Sequence, residues 1–320
     1  MAAERIEILQ VGPSVASFNK ALDDAYGVHK LWLAPDRAAL LAEVGPRVRA
    51  IATTAGFGAK RDLIAALPKL EIVACFGVGV DAIDTAYCKE RGIPVTNTPD
   101  VLTEDVADTA IALTLATLRR LPQADRFIRD GKWGDAKRTG GNFPLADTLG
   151  RKTMGIFGMG RIGQATAKRA EACGMRVVYT GPRAKPELPQ SYLPSLRALA
   201  EACDVLMITS PGGAATAKQV NAEILQALGP KGYVVNVARG SIIDEQALIA
   251  ALQNRTIAGA GLDVFAEEPN VPEALWAMEN VVLLPHIGSA TQQTRDAMGA
   301  LTVRNLAAHF AGEPLLTPYG

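Results

Sequence analysis

Cysteine and aromatic residues are scarce in this sequence, and their scarcity narrows the class of protein. Aromatic side chains make up 5% of the 320 residues, and the cysteines are far apart along the chain. Such wide spacing fits no metal-binding motif, and no secretion signal supports disulfides, so we expect reduced thiols in the core. These cysteines are Cys75, Cys88, Cys173 and Cys203.

Net charge and long apolar segments are also missing. The chain has 33 basic and 33 acidic side chains, and this balance gives no general attraction to nucleic acid or to an anionic membrane. No run of about 18 apolar residues indicates a membrane-spanning helix. The start of the chain lacks the basic and apolar segments of a secretory signal. These absences predict a cytoplasmic protein with no metal ion, no nucleic-acid partner and no membrane partner.

What the sequence has instead is an alternation of short β-branched runs with helical patterns. This alternation predicts parallel sheets with right-handed crossovers. We therefore expect an α/β protein of two Rossmann-like domains with parallel sheets. A flavodoxin-like substrate-binding domain, discontinuous because the last helix returns to it, would comprise 1–97 and 288–320, and a dinucleotide-binding domain 98–287. The predicted strands are 7–11, 49–53, 71–75, 153–157, 176–180, 204–209, 233–237, 258–262 and 281–284.

A glycine-rich turn, GMGRIG, follows an apolar strand pattern and opens a helical pattern. Gly158 would permit the tight turn, Gly160 would let the backbone approach a pyrophosphate, and Gly163 would allow close helix packing. The N–H groups at the start of the helix would bind phosphate oxygens. This context predicts a dinucleotide site, against an ordinary turn, a methyl-donor site or a flavin site. The residues expected to contact the dinucleotide are Gly158, Gly160, Arg161, Ile162 and Gly163.

The end of the next strand indicates which nicotinamide cofactor binds. An NAD-selective site usually has an acidic residue there for the ribose 2′-hydroxyl, whereas this chain has Gly181 after Thr180. Without that acid nothing repels a 2′-phosphate, and Arg183 and Lys185 could pair with it. We therefore expect NADPH to be preferred over NADH. The alternative is that Arg183 is a solvated loop charge.

Polar side chains follow apolar strands in the second half of the chain. Arg239 emerges at the carboxyl end of a strand, where the ligand crevice of an open sheet lies, and its guanidinium can hold two oxygens of a keto acid. His286 follows another strand end. A neighbouring carboxylate would favour its protonated form, which could donate a proton. A structural ion pair for Arg239 and a structural role for His286 are the alternatives.

Several ordered segments together resemble the D-isomer-specific 2-hydroxyacid dehydrogenases. They are GMGRIG, VNVARGSIIDEQAL, GAGLDVFAEEP and LLPHIGSAT, with CFGVGVDAIDTAYCKERGIPVTNTPDVLTEDVAD nearer the start. The chain is most similar to the glyoxylate/hydroxypyruvate reductases and the hydroxyphenylpyruvate reductases of that family. The resemblance implies reduction of a small 2-keto acid to the D-2-hydroxy acid. It also implies a homodimer with contacts within 118–149, where Trp133 and Phe143 would face the partner unless they pack within one subunit.

The resemblance implies roles for individual residues. Arg239 would bind and polarise the substrate, His286 would be the acid/base, and Glu268, rather than the glutamate before it, would orient the histidine. Backbone amides of Val78 and Gly79 would receive the substrate carboxylate. Asp263 would lie near the nicotinamide carboxamide. The further implied cofactor contacts are Thr180, Val237, Ala238, Arg239, Asp263, His286 and Gly288.

Other functions remain open on the sequence alone. The enzyme could reduce a bulkier arylpyruvate such as hydroxyphenylpyruvate, or it could oxidise D-3-phosphoglycerate with NAD, which Gly181 disfavours. A dehydrogenase-like nucleotide sensor or corepressor is the non-enzymatic alternative. The complete set of Arg239, Glu268 and His286 argues for an active enzyme.

Overall fold

The protein forms two compact units. The computed structural model describes residues 5–134 and 142–320. One unit is Met1–Leu102 with Ala290–Gly320, and the other is Thr103–Ser289. The chain passes from one unit to the other after residues 102 and 289, close to the predicted boundaries after 97 and 287, and the second unit begins with the long helix that starts at Thr103.

The first unit is built on a parallel sheet. Its strands are β1 (Glu7–Gln10), β2 (Gly27–Lys30), β3 (Ala50–Thr54), β4 (Ile72–Phe76) and β5 (Val95–Thr96). They lie in the order β2-β1-β3-β4-β5 and every neighbouring pair is parallel. This is the flavodoxin-like order that the sequence predicts. The middle strands are almost wholly buried, as expected for a parallel sheet covered on both faces.

Helices from both ends of the chain cover this sheet. The early ones are α1 (Ala16–Ala25), α2 (Arg37–Val44), α3 (Arg61–Ala65) and α4 (Thr85–Glu90), with a 3-10 turn at Leu31–Leu33. The last helix of the chain, Gln292–Phe310, belongs to this unit. It packs so closely that a Cβ on Gly299 would lie 3.0 Å from the Cβ of Phe18 in α1. The predicted discontinuous domain is confirmed.

The second unit contains a larger parallel sheet. Its strands are β6 (Thr153–Phe157), β7 (Arg176–Thr180), β8 (Ser191–Tyr192), β9 (Val205–Ile208), β10 (Tyr233–Asn236), β11 (Gly259–Leu262) and β12 (Val281–Leu283). The strand order is β12-β11-β10-β9-β6-β7-β8. This is the dinucleotide-binding order with one added strand, and it reverses between β6 and β9. Ligands of such sheets bind outside the carboxyl ends of the strands at that reversal.

Helices of the second unit pack on both faces of its sheet. They are α5 (Thr103–Arg119), α6 (Leu121–Arg129), α7 (Arg161–Ala172), α8 (Leu196–Ala202), α9 (Ala222–Leu228), α10 (Glu245–Gln253) and α11 (Glu273–Trp276). Short polar side chains cap several of them: Ser195, Asn221 and Asp244 each accept a backbone N–H of the first turn. Among the helices of the described residues, none is long and apolar enough to cross a membrane.

The cysteines differ in part from the expectation of core thiols. Cys75 and Cys88 are buried and Cys203 is half-buried, and burial raises the pKa of the Cys88 thiol to about 11. Cys173 is exposed. The expectation was wrong for Cys173 because it follows the last turn of α7 at the protein surface.

Candidate active site

The glycine-rich turn lies at the strand reversal of the second unit, between β6 and α7. Gly158 has a φ of +106°, and a Cβ there would lie 2.4 Å from the backbone nitrogen of Ser210, just after β9. A Cβ on Gly163 would lie 2.3 Å from the carbonyl oxygen of Gly158. A side chain at either position would therefore open the turn, and this explains why both positions are occupied by glycine.

The remaining glycine of the turn, Gly160, leaves space for a ligand. Gly160 is exposed, and a Cβ built on it would meet no atom within 4 Å. Gly160 also precedes α7, and no side chain caps the first N–H groups of that helix. The buried hydroxyl of Ser210 finds no hydrogen-bond partner among the described residues. An uncapped helix start beside an open backbone fits the pyrophosphate of a dinucleotide.

The end of β7 is next to this turn. The carbonyl oxygen of Thr180 accepts the Gly158 N–H at 3.0 Å, while the Thr180 hydroxyl donates to the carbonyl of Leu193 at 2.7 Å. A Cβ on Gly181 would meet nothing within 4 Å. Arg183 is exposed, and no carboxylate in the described part of the chain pairs with it. This strand end therefore presents positive charge and no acid.

The candidate catalytic side chains follow neighbouring strands at one edge of the sheet. In the parallel register, Asn236 at the end of β10 pairs with Leu262 at the end of β11, and Leu262 pairs with Leu283 of β12. Arg239, Glu268 and His286 follow these strands in that order. Because the carboxyl ends of parallel strands meet at one edge, the fold brings the segments that carry these residues together.

His286 and Glu268 form a close pair. The Nδ1 atom of His286 lies 2.7 Å from Oε2 of Glu268, and their side chains are 44% and 34% exposed. The other oxygen, Oε1, accepts the Phe265 N–H at 3.0 Å. With Nδ1 donating to the carboxylate, Nε2 is the ring nitrogen left to exchange a proton with a substrate.

The charges around Glu268 keep it ionised. Burial acts to raise the pKa of Glu268, but hydrogen bonding and charge from His286, the Phe265 N–H and the charge of Arg239 together outweigh it and lower the pKa. An ionised carboxylate at this position can accept the Nδ1–H of His286.

Replacing Glu268 by glutamine should shift the pH profile of the reductive reaction. The amide keeps a similar shape but removes the negative charge that Glu268 places beside the His286 ring. Proton donation requires the protonated ring, so activity should fall at a lower pH in the variant than in the parent. Initial rates from pH 5 to 10 measure this alkaline limb. A limb that stays in place, in a folded variant, would show that the pair is not acting as the acid.

Asp263 holds the backbone that carries His286. Its buried carboxylate accepts the N–H of Ile287 at 2.7 Å and of Gly288 at 2.8 Å, and its carbonyl accepts the His286 N–H at 2.9 Å. Burial raises the pKa of Asp263, against the lowering effect of those two amides. His286 has a φ of +54°, which costs free energy that such contacts must offset. This support role was not visible in the sequence.

The strand end that carries Arg239 is fixed by Asn236, which sequence reasoning missed. The Asn236 side chain accepts the Ala238 N–H at 3.0 Å and donates to the Arg239 carbonyl at 2.9 Å. Its amide is fully buried. An asparagine inside the apolar run VVNVA was the available signal, because a buried amide needs partners. Val237 is buried beside it.

Gly240 brings the Arg239 segment against the Glu268 segment. A Cβ on Gly240 would lie 1.9 Å from the carbonyl carbon of Phe265, and Phe265 is the residue whose N–H binds Glu268. The Arg239 side chain itself donates to the Ala238 carbonyl at 2.8 Å. The close backbone contact at Gly240 therefore determines the spacing between two of the candidate catalytic segments.

Val78 and Gly79 lie in the first unit, directly after β4. Their carbonyl oxygens accept hydrogen bonds from the Asn97 side-chain amide at 2.8 Å and from the Cys75 thiol at 3.6 Å. Among the hydrogen bonds of the described residues, neither backbone N–H is a donor. The loop is thus held by its carbonyls and leaves its amides for an anionic group.

The segment predicted to contact a partner subunit is only partly described, since its glycines Gly140 and Gly141 lie outside the described residues. Trp133 is 70% exposed. Phe143 packs edge-on against Phe127 of α6, with ring centroids 5.5 Å apart. One of the two aromatics therefore makes an intrasubunit contact, while the other faces outward from its unit.

The chain is similar to known proteins over nearly its whole length. The family model described as D-isomer specific 2-hydroxyacid dehydrogenase, NAD binding domain, matches residues 111–288. A glyoxylate/hydroxypyruvate reductase of Arabidopsis thaliana is 46% identical over 315 residues, which cover 98% of this chain and 99% of the relative. A hydroxyphenylpyruvate reductase of Plectranthus scutellarioides is 45% identical over 315 residues with the same coverage.

The similarity extends to a solved structure with a bound cofactor. An NADPH-dependent glyoxylate/hydroxypyruvate reductase from Sinorhizobium meliloti, in complex with NADP and malonate, is 47% identical to this chain. Its structure matches with a TM-score of 0.91 and covers 99% of this chain and 97% of that one.

Proposed function

The chain belongs to the D-isomer-specific 2-hydroxyacid dehydrogenases, and we propose that it uses NADPH to reduce hydroxypyruvate to D-glycerate and glyoxylate to the achiral 2-hydroxy acid glycolate. Membership of this family makes it an NAD(P)-dependent oxidoreductase. The residues present fit such a cofactor, because the second unit combines an open glycine turn with an uncapped helix start.

The observation that carries the proposal is the 2.7 Å contact between His286 and Glu268. The chemistry that NADPH supplies when bound is hydride transfer to the carbonyl carbon. His286 donates a proton from Nε2 to the carbonyl oxygen, and Glu268 stabilises the protonated ring. Arg239 stabilises the negative charge that develops on that oxygen.

Arg239 is proposed to bind the substrate carboxylate in the second unit, and the amides of Val78 and Gly79 are proposed as a carboxylate-binding group of the first unit. A guanidinium binds carboxylate oxygens in pairs, and free loop amides bind the same group. The first unit, which contributes those amides, is accordingly proposed as the substrate-binding domain. Asp263 is proposed to lie near the nicotinamide carboxamide, and Val237, Ala238 and Gly288 are proposed as further cofactor contacts.

The preference for NADPH is proposed from the strand end at Gly181 and Arg183. The parent should use NADPH at least about tenfold more efficiently than NADH, corresponding to about 1.4 kcal/mol. Replacing Arg183 by alanine should remove most of that difference, because a 2′-phosphate would lose its paired cation. Efficiencies with both cofactors measure it, and NADH is the internal control. Equal losses with both cofactors would exclude Arg183 as the residue that recognises the phosphate.

The choice of keto acid is tested by initial rates with a panel of substrates. We expect glyoxylate and hydroxypyruvate to give higher kcat/KM than hydroxyphenylpyruvate. The relative from Plectranthus scutellarioides is named a hydroxyphenylpyruvate reductase, so reduction of the arylpyruvate is the second candidate. A highest kcat/KM with the arylpyruvate would replace the first assignment by the second. No reduction of any 2-keto acid would favour a sensor or corepressor.

A homodimer is proposed through the segment that follows α5. Large apolar side chains there are exposed in the isolated chain, including Leu121 and Ile128 of α6 and Leu145, and such patches commonly contact another subunit. Light scattering of the purified protein should therefore give twice the 33.7 kDa chain mass. A monomer at micromolar concentration would contradict the proposal. The cytoplasmic location stays a prediction from the sequence.

A further inference from the structure

The loop after β7 holds the proposed phosphate-binding cation. It runs from Gly181 to Lys185, with exposed Arg183 between them. An arginine on a mobile loop loses conformational freedom when it binds a phosphate, and that loss reduces affinity. The contacts that fix the loop in advance therefore affect how strongly Arg183 can bind.

Tyr179 holds one end of the loop. Its hydroxyl accepts the backbone N–H of Lys185 at 2.7 Å and lies 3.3 Å from the Lys185 carbonyl, to which it donates. The Tyr179 side chain is only 1% exposed and lies in the middle of the buried part of β7. Because the core encloses the ring, its hydroxyl is a fixed point for the Lys185 backbone.

Tyr192 holds the other end. Its hydroxyl donates to the Gly181 carbonyl at 3.2 Å. Tyr192 is directly opposite Tyr179 in the register of β8 with β7, and the two rings meet edge to face with centroids 5.5 Å apart. A pair of adjacent tyrosines on one sheet thus binds the backbone on both sides of Arg183.

We propose that Tyr179 and Tyr192 are positioning residues for recognition of the cofactor 2′-phosphate. Their hydroxyls fix the two ends of the loop, so that Arg183 is presented to the phosphate at a smaller entropic cost. They act through the loop backbone and bind no phosphate oxygen themselves. The inference rests on the proposed NADPH preference and adds that residues of the sheet, besides Arg183, maintain it.

Dissociation constants of NADPH and NADH with Tyr179→Phe test the inference in the full-length protein. NADPH should bind about threefold to tenfold more weakly, the scale of one lost hydrogen bond, and NADH should change by less than about twofold. Tyr192→Phe should act in the same direction. The matched control is Tyr233→Phe in β10, whose hydroxyl lies 3.4 Å from Asp147, and it should change neither constant.

Measurements on the parent protein distinguish failure of the proposed cofactor preference from failure of the positioning role. Equal NADPH and NADH binding by the parent would refute the proposed cofactor preference, and the positioning role with it. A parent that prefers NADPH, with both phenylalanine variants keeping that full preference, would overturn the positioning role alone. Equal weakening of both cofactors by Tyr179→Phe would also overturn it, since the hydroxyl would then support the fold. Hydrogen exchange at the Lys185 amide should be faster in Tyr179→Phe.

Discussion

Replacing His286 by alanine should lower the turnover number for keto-acid reduction by roughly 100-fold or more, the scale of a lost general acid. The imidazole is the proton donor in the proposed reaction, and Glu268 binds its Nδ1 at 2.7 Å. Alanine can neither donate the proton nor stabilise charge on the carbonyl oxygen. Single-turnover rates with saturating NADPH measure the loss at the chemical step.

The affinity for NADPH is the control for this variant. The dinucleotide turn at Gly158 follows a different strand from His286, so NADPH binding should change little in the alanine variant. Circular dichroism should confirm that the variant is folded. A folded His286→Ala protein with near-parent turnover would remove His286 from the reaction, whatever its effect on cofactor binding.

Replacing Arg239 by glutamine should lower kcat/KM by about 100-fold to 1000-fold, the scale of removing one group that stabilises an oxyanion. The guanidinium is proposed to bind the substrate carboxylate and the carbonyl oxygen together, so both binding and turnover should suffer. Arg239→Lys should recover only a small part of the lost kcat/KM, because an ammonium group cannot bind two substrate oxygens in the paired geometry of a guanidinium.

A control for lost positive charge is available in the same unit. Arg255 precedes β11 at the opposite ends of the strands from Arg239, and it is exposed. Arg255→Gln should leave kcat/KM within about twofold of the parent, as is usual for surface changes. If Arg239→Gln matched this control, the substrate would have to be held by other groups.

Much of the fold follows from the pattern of apolar runs. The predicted strands 153–157 and 176–180 coincide with β6 and β7, and the others agree within one residue at either end. The strands β2, β5 and β8 were not predicted. Both β5 and β8 have only two residues, and each forms because a longer strand lies beside it, whereas β2 is a four-residue edge strand with no fully buried residue. Tertiary context determines such strands more than local preference does.

Some residues of the candidate site could be predicted from the sequence, and others could be identified only in the structure. Motif resemblance pointed to Glu268 beside His286, and their contact agrees with it. The hydrogen bonds from Asp263 to the His286 loop needed the structure, because they join residues on separate strands. The same holds for Tyr179, which reads in the sequence as an ordinary strand residue although its hydroxyl binds the Lys185 backbone.

The proposed reaction transfers a hydride from NADPH to C2 of a small 2-keto acid and makes the D-isomer when the product is chiral. Incubating the purified protein with hydroxypyruvate and NADPH deuterated at both C4 positions tests this directly, with chiral chromatography and mass spectrometry of the product. We predict D-glycerate with one deuterium on C2. L-glycerate, or glycerate without deuterium at C2, would contradict the proposed reaction.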